Sequence, residues 1–304
     1  VDWLTRMNDT LDRIERLLDG RLDVEALARD AYSSPFHFQR MFHALTGYPL
    51  GEYVRRRRLT RAAQELAASG IKVVDVALKY GYESPEAFAK AFRKTHGVTP
   101  TMARQPGCRL VAFPKLRFHL SLKGEMEMNY RIEKRDRFTI AGASIVVSCE
   151  NGENFRRIPQ FWQESGPNGT IDRVLKLQPG QPLIGACTDF RMIDGTASDK
   201  DETERFRYMI AVEAPAGTVP APFEHAGAEF VEREVPASTW AVFTAAGPLP
   251  ESVQSVTKRI FSEWFPSTGY EHAGGPELEL YLEDGGPDTD AVTEIWVPVK
   301  LTSS

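Results

Sequence analysis

Ser34-Pro35-Phe36-His37-Phe38-Gln39-Arg40-Met41-Phe42 returns fifty positions later as Ser84-Pro85-Glu86-Ala87-Phe88-Ala89-Lys90-Ala91-Phe92. Val24, Tyr32 and Gly47 have counterparts at the same offset in Val74, Tyr82 and Gly97. Each copy carries its own start signals: a serine that can cap a helix, then a proline, which suits a first helical turn whose N–H groups lack intrahelical partners. In the first copy Phe38, Met41, Phe42 and Leu45 fall on one face of a helix over about 35–46. Phe88, Ala91, Phe92 and Thr95 repeat that stripe in the second. A short helix over 24–31, with Asp23 at its N-cap, and a Tyr32-Ser33 turn precede the first copy. The pattern is a helix–turn–helix written twice.

The faces turned away from the stripes separate the copies. The first presents Phe36, Gln39, Arg40 and His43; the second presents Glu86, Ala89, Lys90 and Arg93. Arginine bonds guanine edges, glutamine matches adenine and an apolar ring meets a thymine methyl, so the first face has the chemistry of base reading in a major groove. Its plain alternative is a solvated arginine beside a ring that covers a neighbouring helix. The second face offers charge for backbone attraction, with Glu86 either accepting from a cytosine amino group or repelling phosphate. Between the copies, Leu50 to about Ser69 reads as one helix. Leu50, Tyr53 and Val54 share a face, whereas Leu59, Ala62, Ala63 and Leu66 lie about half a turn away at about 100° per residue. Such a helix bridges two cores. Of its arginines, Arg55 and Arg58 are candidate phosphate contacts, with Ser34 and Ser84 beside the recognition helices. A stiff bridge would set the two helices for successive major grooves roughly 34 Å apart, on an asymmetric site.

Charge agrees with that division. Residues 1–107 hold 17 Lys+Arg against 13 Asp+Glu, and the remaining residues 20 against 29. A mildly basic front favours an anionic partner. Cys108, Cys149 and Cys187 are odd in number and form no C-x-x-C, which fits free thiols in a reducing compartment. No H-E-x-x-H or Cys/His grouping stands out in the sequence, so neither a metal nor a cofactor is expected. The apolar runs are too short to span a bilayer, and Val1–Arg6 lacks the apolar core of a signal peptide. A soluble, cytoplasmic chain with no membrane partner is the expectation.

From Tyr130 the pattern changes to strands. Residues 130–148 read as a hairpin, 154–165 as a helix, and 183–190 and 205–213 as strands. The order recurs as a hairpin near 228–246, a helix near 251–264 and strands near 277–283 and 292–299. The fold class is therefore multidomain: an all-α tandem helix-turn-helix domain, then an α+β domain with duplicated ββαββ units. The boundaries are 1–107, a connector over 108–128, and 129–304. In the 277–283 strand Leu278, Leu280 and Leu282 share one face, leaving Glu279 and Tyr281 on the other. A carboxylate beside an aromatic ring attracts an apolar cation through Coulomb and cation–π forces. Tyr208, Trp240 and Trp296 on other strands are candidates to complete that cage. The bland alternative is core-filling aromatics and a solvated Glu279.

Five segments together carry a family resemblance: Ser34 to Phe42, Tyr53-Val54-Arg55-Arg56-Arg57-Arg58-Leu59, Asp75-Val76-Ala77-Leu78-Lys79-Tyr80-Gly81-Tyr82, Phe88-Ala89-Lys90-Ala91-Phe92-Arg93-Lys94 and Gly97-Val98-Thr99-Pro100. Residues about 4–104 resemble the DNA-binding domain of the bacterial AraC/XylS regulators. The rear resembles the GyrI-like small-molecule-binding domain in Ser262 to Tyr270, Glu277-Leu278-Glu279-Leu280-Tyr281-Leu282 and Thr293 to Val299. Phe36 stands where relatives often have Trp, Glu86 and Lys90 where they often have Gln and Arg, and Ala103 where an aromatic residue usually precedes Arg104. The resemblance implies a bacterial transcription regulator of the multidrug-sensing kind, with promoter DNA, a small apolar or cationic effector and RNA polymerase as partners. A monomer or weak homodimer is expected, since the front can work as a monomer and the sequence has no coiled-coil heptads, and no catalytic residue is assigned. Two rivals remain: a hydrolase of reactive small molecules, using Glu279, Glu283 or Glu294 as a base, and a rear domain that binds a protein.

Overall fold

The computed structural model describes residues 3–20, 22–31, 33, 35–118, 128–148, 152–189, 205–282 and 291–301, the side chains of Trp3 and Phe36 excepted. Ser34, Cys149 and Glu283 lie outside the described residues. The front of the chain is helical: α1 (Trp3–Arg16), α2 (Val24–Asp30), α3 (Pro35–Thr46), α4 (Leu50–Ala68), α5 (Val73–Lys79) and α6 (Pro85–His96). Two compact units emerge, one of residues 1–35 with 48–121, the other of residues 36–47 with 122–304. The division departs from the sequence reading at α3, which packs as part of the second unit.

In the first unit the caps are as the sequence anticipates. Asp23 accepts from the Ala26 N–H, Ser84 accepts from the Ala87 N–H, and Gly97 closes α6 in the left-handed region at φ 74°. Phe88 and Phe92 of α6 and Val76 and Ala77 of α5 pack with Leu59, Ala62, Ala63 and Leu66 of α4. At its start α4 buries Leu50, Tyr53 and Val54, so the switch of face along this helix is real. Ala103 is buried in the same core. Within the segment read as connector, backbone groups of residues 113–118 are hydrogen-bonded to the helices of the first unit. The Phe113 N–H donates to Thr60 Oγ1, Leu116 to the Tyr53 hydroxyl, and Phe118 to Asn8 Oδ1.

The arginines of α4 are mostly engaged. Arg57 is buried and holds both Glu15 oxygens at 2.8 Å, and Arg55 and Arg56 pair with Glu52 at 2.9 and 2.7 Å. Arg58, expected to meet phosphate, donates instead to the Leu18 and Gly20 carbonyls. These oxygens lie at the turn after α1, and a carbonyl there needs a donor.

The second unit is built on strands β1 (Tyr130–Arg135), β2 (Phe138–Ser148), β3 (Leu183–Thr188), β4 (Arg205–Glu213), β5 (Phe223–His225), β6 (Ala228–Val235), β7 (Ser238–Ala246), β8 (Tyr270–His272), β9 (Glu277–Tyr281) and β10 (Val292–Leu301). They form one sheet in the order β1-β7-β10-β9-β3-β4-β2-β6-β5, with β8 on β10. The anticipated duplication is present, but the two hairpins are not. β1 pairs with β7 and β2 with β6, so the repeats exchange their first strands. The order is consequently symmetric about its centre: β9 and β3, β10 and β4, β7 and β2, β1 and β6 are equivalent pairs. Close pairing leaves no room at Gly142, where a Cβ would sit 2.2 Å from the Ile210 carbonyl oxygen. Helices α7 (Asn154–Ser165), α8 (Thr170–Leu175), α9 (Glu251–Arg259) and α10 (Phe265–Ser267) complete the unit, with a π-helical turn over Ile260–Trp264.

Candidate functional site

The two central strands carry the site. Alternation sends Leu278 and Leu280 of β9 to one sheet face and Glu277, Glu279 and Tyr281 to the other. On the second face stand Cys187 of β3 and Tyr208 of β4. Gly185 of β3 pairs with Glu279, and its missing side chain admits the Tyr208 hydroxyl, which would lie 2.6 Å from any Cβ there. The Tyr281 hydroxyl donates to Glu279 Oε2 at 2.8 Å. Trp162 of α7 donates to the Tyr208 hydroxyl at 2.7 Å and meets the Tyr281 ring edge-on at 5.0 Å. Burial first, then the Glu279 carboxylate, pushes both tyrosine hydroxyls well above their ordinary range, so they remain donors.

Of the cage foreseen from sequence, Glu279, Tyr281 and Tyr208 converge. Trp240 and Trp296 do not. They meet each other edge-on at 5.9 Å on the opposite sheet face, among Ile184, Ala186, Met209 and Leu278. Strand parity decides this, since β7 and β10 place those rings in phase with the leucines rather than with Glu279. Trp162 was missed because its helix gave no sign of which strand it would cover. Glu294 is bound to Arg131 at 2.6 and 3.0 Å and to the Trp296 indole, apart from the Glu279 group.

A cation already occupies this group. Arg40 of α3 places Nη1 2.9 Å from Glu277 Oε2 and Nη2 3.2 Å from Glu279 Oε1. Its side chain is 16% exposed and also lies 3.7 Å from Cys187 Sγ. Two carboxylates outweigh the burial that would otherwise lower the guanidinium pKa and hold Arg40 charged. His37 Nδ1 is 3.0 Å from Glu277 Oε1, and its ring stacks on His272 with centroids 3.7 Å apart and meets Phe261 edge-on. His43 stacks on Phe155 of α7 at 3.5 Å and is half-buried, as is Gln39. Burial raises the Glu277 carboxyl, but Arg40, His272 and His37 outweigh it and hold the group well below the usual carboxylate range.

The sequence shows no metal-ligand grouping, yet the fold gathers His37, His272 and Glu277 with donor atoms within 4.8 Å of one another. The hydrogen bonds assign these residues another role. The Gly274 N–H donates to His272 Nδ1 at 3.0 Å, which places the neutral ring's proton on Nε2, facing Glu277. A metal would need a lone pair on that nitrogen. His272 Nε2 lies 3.3 Å from Glu277 Oε1, and Arg40 holds the other oxygen of that carboxylate.

On α6, Glu86, Lys90 and Arg93 are exposed. Helix α3 thus turns His37 and Arg40 into the second unit, with Gln39 and His43 half-buried, whereas the polar face of α6 is open.

Residues 128–300 match the GyrI-like small molecule binding domain, and residues 27–106 match a helix-turn-helix domain. The chain belongs to the AraC-type regulators that carry a GyrI-like domain, a class of DNA-binding transcription regulators that sense small molecules. Along 99% of its length it is 36% identical to the whole Right origin-binding protein of Escherichia coli K12. A 98-residue part, 32% of this chain, is 40% identical to 73% of the transcriptional activator AarP of Providencia stuartii. A 91-residue part, 30% of this chain, is 35% identical to 85% of the regulatory protein SoxS of Salmonella typhimurium. Among the described residues no helix is long and apolar enough to cross a membrane.

Proposed function

We propose that the chain reads promoter DNA with α3 and α6 and that the effector of its GyrI-like domain is an apolar cation received by Glu279. The observation that carries the effector assignment is Arg40 itself: the Glu279, Tyr281, Tyr208 and Trp162 group receives a delocalised cation within the protein. An aromatic wall beside a carboxylate suits a flat or bulky cation, because the rings present their negative faces or accept close packing while the carboxylate supplies the charge. The carboxylate's oxygens are engaged by a guanidinium and a phenol, which supports an anionic receptor rather than a base awaiting a proton.

Gln39 and Arg40 are the base-reading residues of this account, with Phe36 and His43 beside them, and Lys90 and Arg93 supply backbone attraction. Two recognition helices in one chain support a monomer on an asymmetric site, and membership of this regulator class supports RNA polymerase as the downstream partner. Titration of the full chain with methyltriphenylphosphonium, followed by tryptophan emission, tests the site. Glu279→Gln should weaken binding by about 1.5–3 kcal/mol, the scale of a hydrogen bond or ion contact to a charged group. Equal affinity in the two proteins would remove Glu279 from the site.

A further inference from the structure

Helix α3 belongs to two domains at once. The helix-turn-helix match over residues 27–106 includes it, whereas its packing places residues 36–47 in the compact unit of the sheet. The side chain that ties it there, Arg40, is the one whose chemistry best suits a guanine edge. We propose that Arg40 is a tethered occupant of the effector site, so that effector and duplex DNA each favour the state in which α3 has left the sheet. This rests on the reading of Glu279 as the effector's counter-ion.

Charge explains why the two events are linked. Glu277 and Glu279 are 5% and 20% exposed, and with Arg40 in place one of their two charges is balanced. If α3 left alone, both carboxylates would stand uncompensated in a low-dielectric site, which is costly. A cationic effector that enters as Arg40 leaves keeps the count unchanged. Water entering the vacated site screens the two carboxylates in part, whereas a bound cation balances their charge directly. The effector need not push the helix by shape; it replaces the charge that held it. Because the two states differ in what Glu279 binds, the effector has differential affinity for them, the condition any ligand-driven shift must meet. Reciprocity follows: DNA that captures α3 raises the affinity for the cation by the same factor.

The anchoring is distributed. His37 contacts Glu277, His272, Phe261 and Phe265, and His43 lies on Phe155. These contacts make the docked helix specific in register, and they give a second way to loosen it without touching a carboxylate.

The test uses the full chain and two readouts: hydrogen exchange of the peptide covering residues 36–47, and affinity for a duplex selected from a random pool by the same chain. Glu279→Gln should speed exchange in that peptide and tighten DNA binding about tenfold, within the ordinary range of allosteric coupling. Methyltriphenylphosphonium should do both to the unaltered protein and add nothing to Glu279→Gln. Phe155→Ala, at a half-exposed position, should shift both readouts in the same direction by a smaller factor, and it retains the carboxylates should Glu279→Gln fold poorly. Unchanged exchange and unchanged DNA affinity in both variants overturn the proposal. If the cation binds but leaves both readouts where they were, the effector site stands and the tethered-occupant proposal falls. If the variants release α3 and tighten DNA binding while the cation fails to bind, the proposal of a docked, inhibitory helix stands and the effector assignment falls.

Discussion

Helices α3 and α6 are twelve residues each, begin with proline and bury a phenylalanine pair at the same spacing, yet their polar faces have opposite fates. Phe38 and Phe42 are fully buried, and so are Phe88 and Phe92. Beyond that shared stripe, α6 carries Glu86, Lys90 and Arg93 into solvent, whereas α3 carries His37 and Arg40 into the sheet of the second unit. The difference is one of chemistry at matching positions. Arg40 has a bidentate guanidinium that suits two carboxylates; its counterpart Lys90 offers a strongly hydrated point charge. His37 offers a ring that can stack and bond; its counterpart Ala87 offers neither. A duplicated motif can therefore diverge in function while its core remains interchangeable, because packing is read from one face and partnership from the other.

The largest effect should fall on what the copies share. Phe38→Ala and Phe88→Ala each remove a fully buried ring and should each cost about 3–5 kcal/mol, measured by urea unfolding of the full chain. A much smaller loss at Phe38 would mean that α3 is not a core element of either state.

Acid should then separate the copies. Burial, followed by the neighbouring His272, pushes His37 down to about 4; on α6 burial also lowers His96, which is bonded to the Leu59 carbonyl and the Val111 N–H. A histidine whose docked pKa is depressed contributes to docking when neutral, fully above its ordinary 6.5, and loses that contribution as pH falls from 6.5 toward 4. The full shift corresponds to about 3 kcal/mol. Facing His37 are Glu277 from β9, His272 from β8 and Arg40 from its own helix, and Glu277, held low, stays ionised through this window. Hydrogen exchange of residues 36–47 should accelerate between pH 6.5 and 4, after correction for intrinsic rates, by a larger factor than that of residues 85–96. Parallel behaviour of the two helices would show that His37 does not hold α3.

The smallest effect tests the open face. Lys90→Gln should leave exchange in both helices unchanged and reduce the salt dependence of DNA binding by about one counterion. An unaltered slope would place Lys90 away from phosphate.

Much of this was legible in the chain. The caps at Asp23 and Ser84, the proline starts, the stripe from Phe38 to Phe42 and the change of buried face along α4 follow from helical period and local hydrogen bonding, which neighbouring residues decide among themselves. Glu279 and Tyr281 were legible for the same reason, since strand alternation sets them on one face opposite Leu278 and Leu280. The hairpins were misassigned because sequence adjacency of β1 and β2 says nothing about pairing when a duplicated unit offers an equivalent partner. Trp240 and Trp296 were misplaced because parity within one strand does not reveal parity between strands. Arg58 looked like a phosphate ligand because a run of arginines does not show which one meets a carbonyl at the end of another helix.

By itself the sequence determined a doubled DNA-reading motif, a doubled strand unit and a carboxylate with an aromatic neighbour, all set by periodicities of a few residues. Only the tertiary structure decided that Arg40, His37, Glu277 and Glu279 meet. Their separation in the chain is about 240 residues, and a contact at that range follows from how packed surfaces and buried charges satisfy one another, which no local pattern encodes.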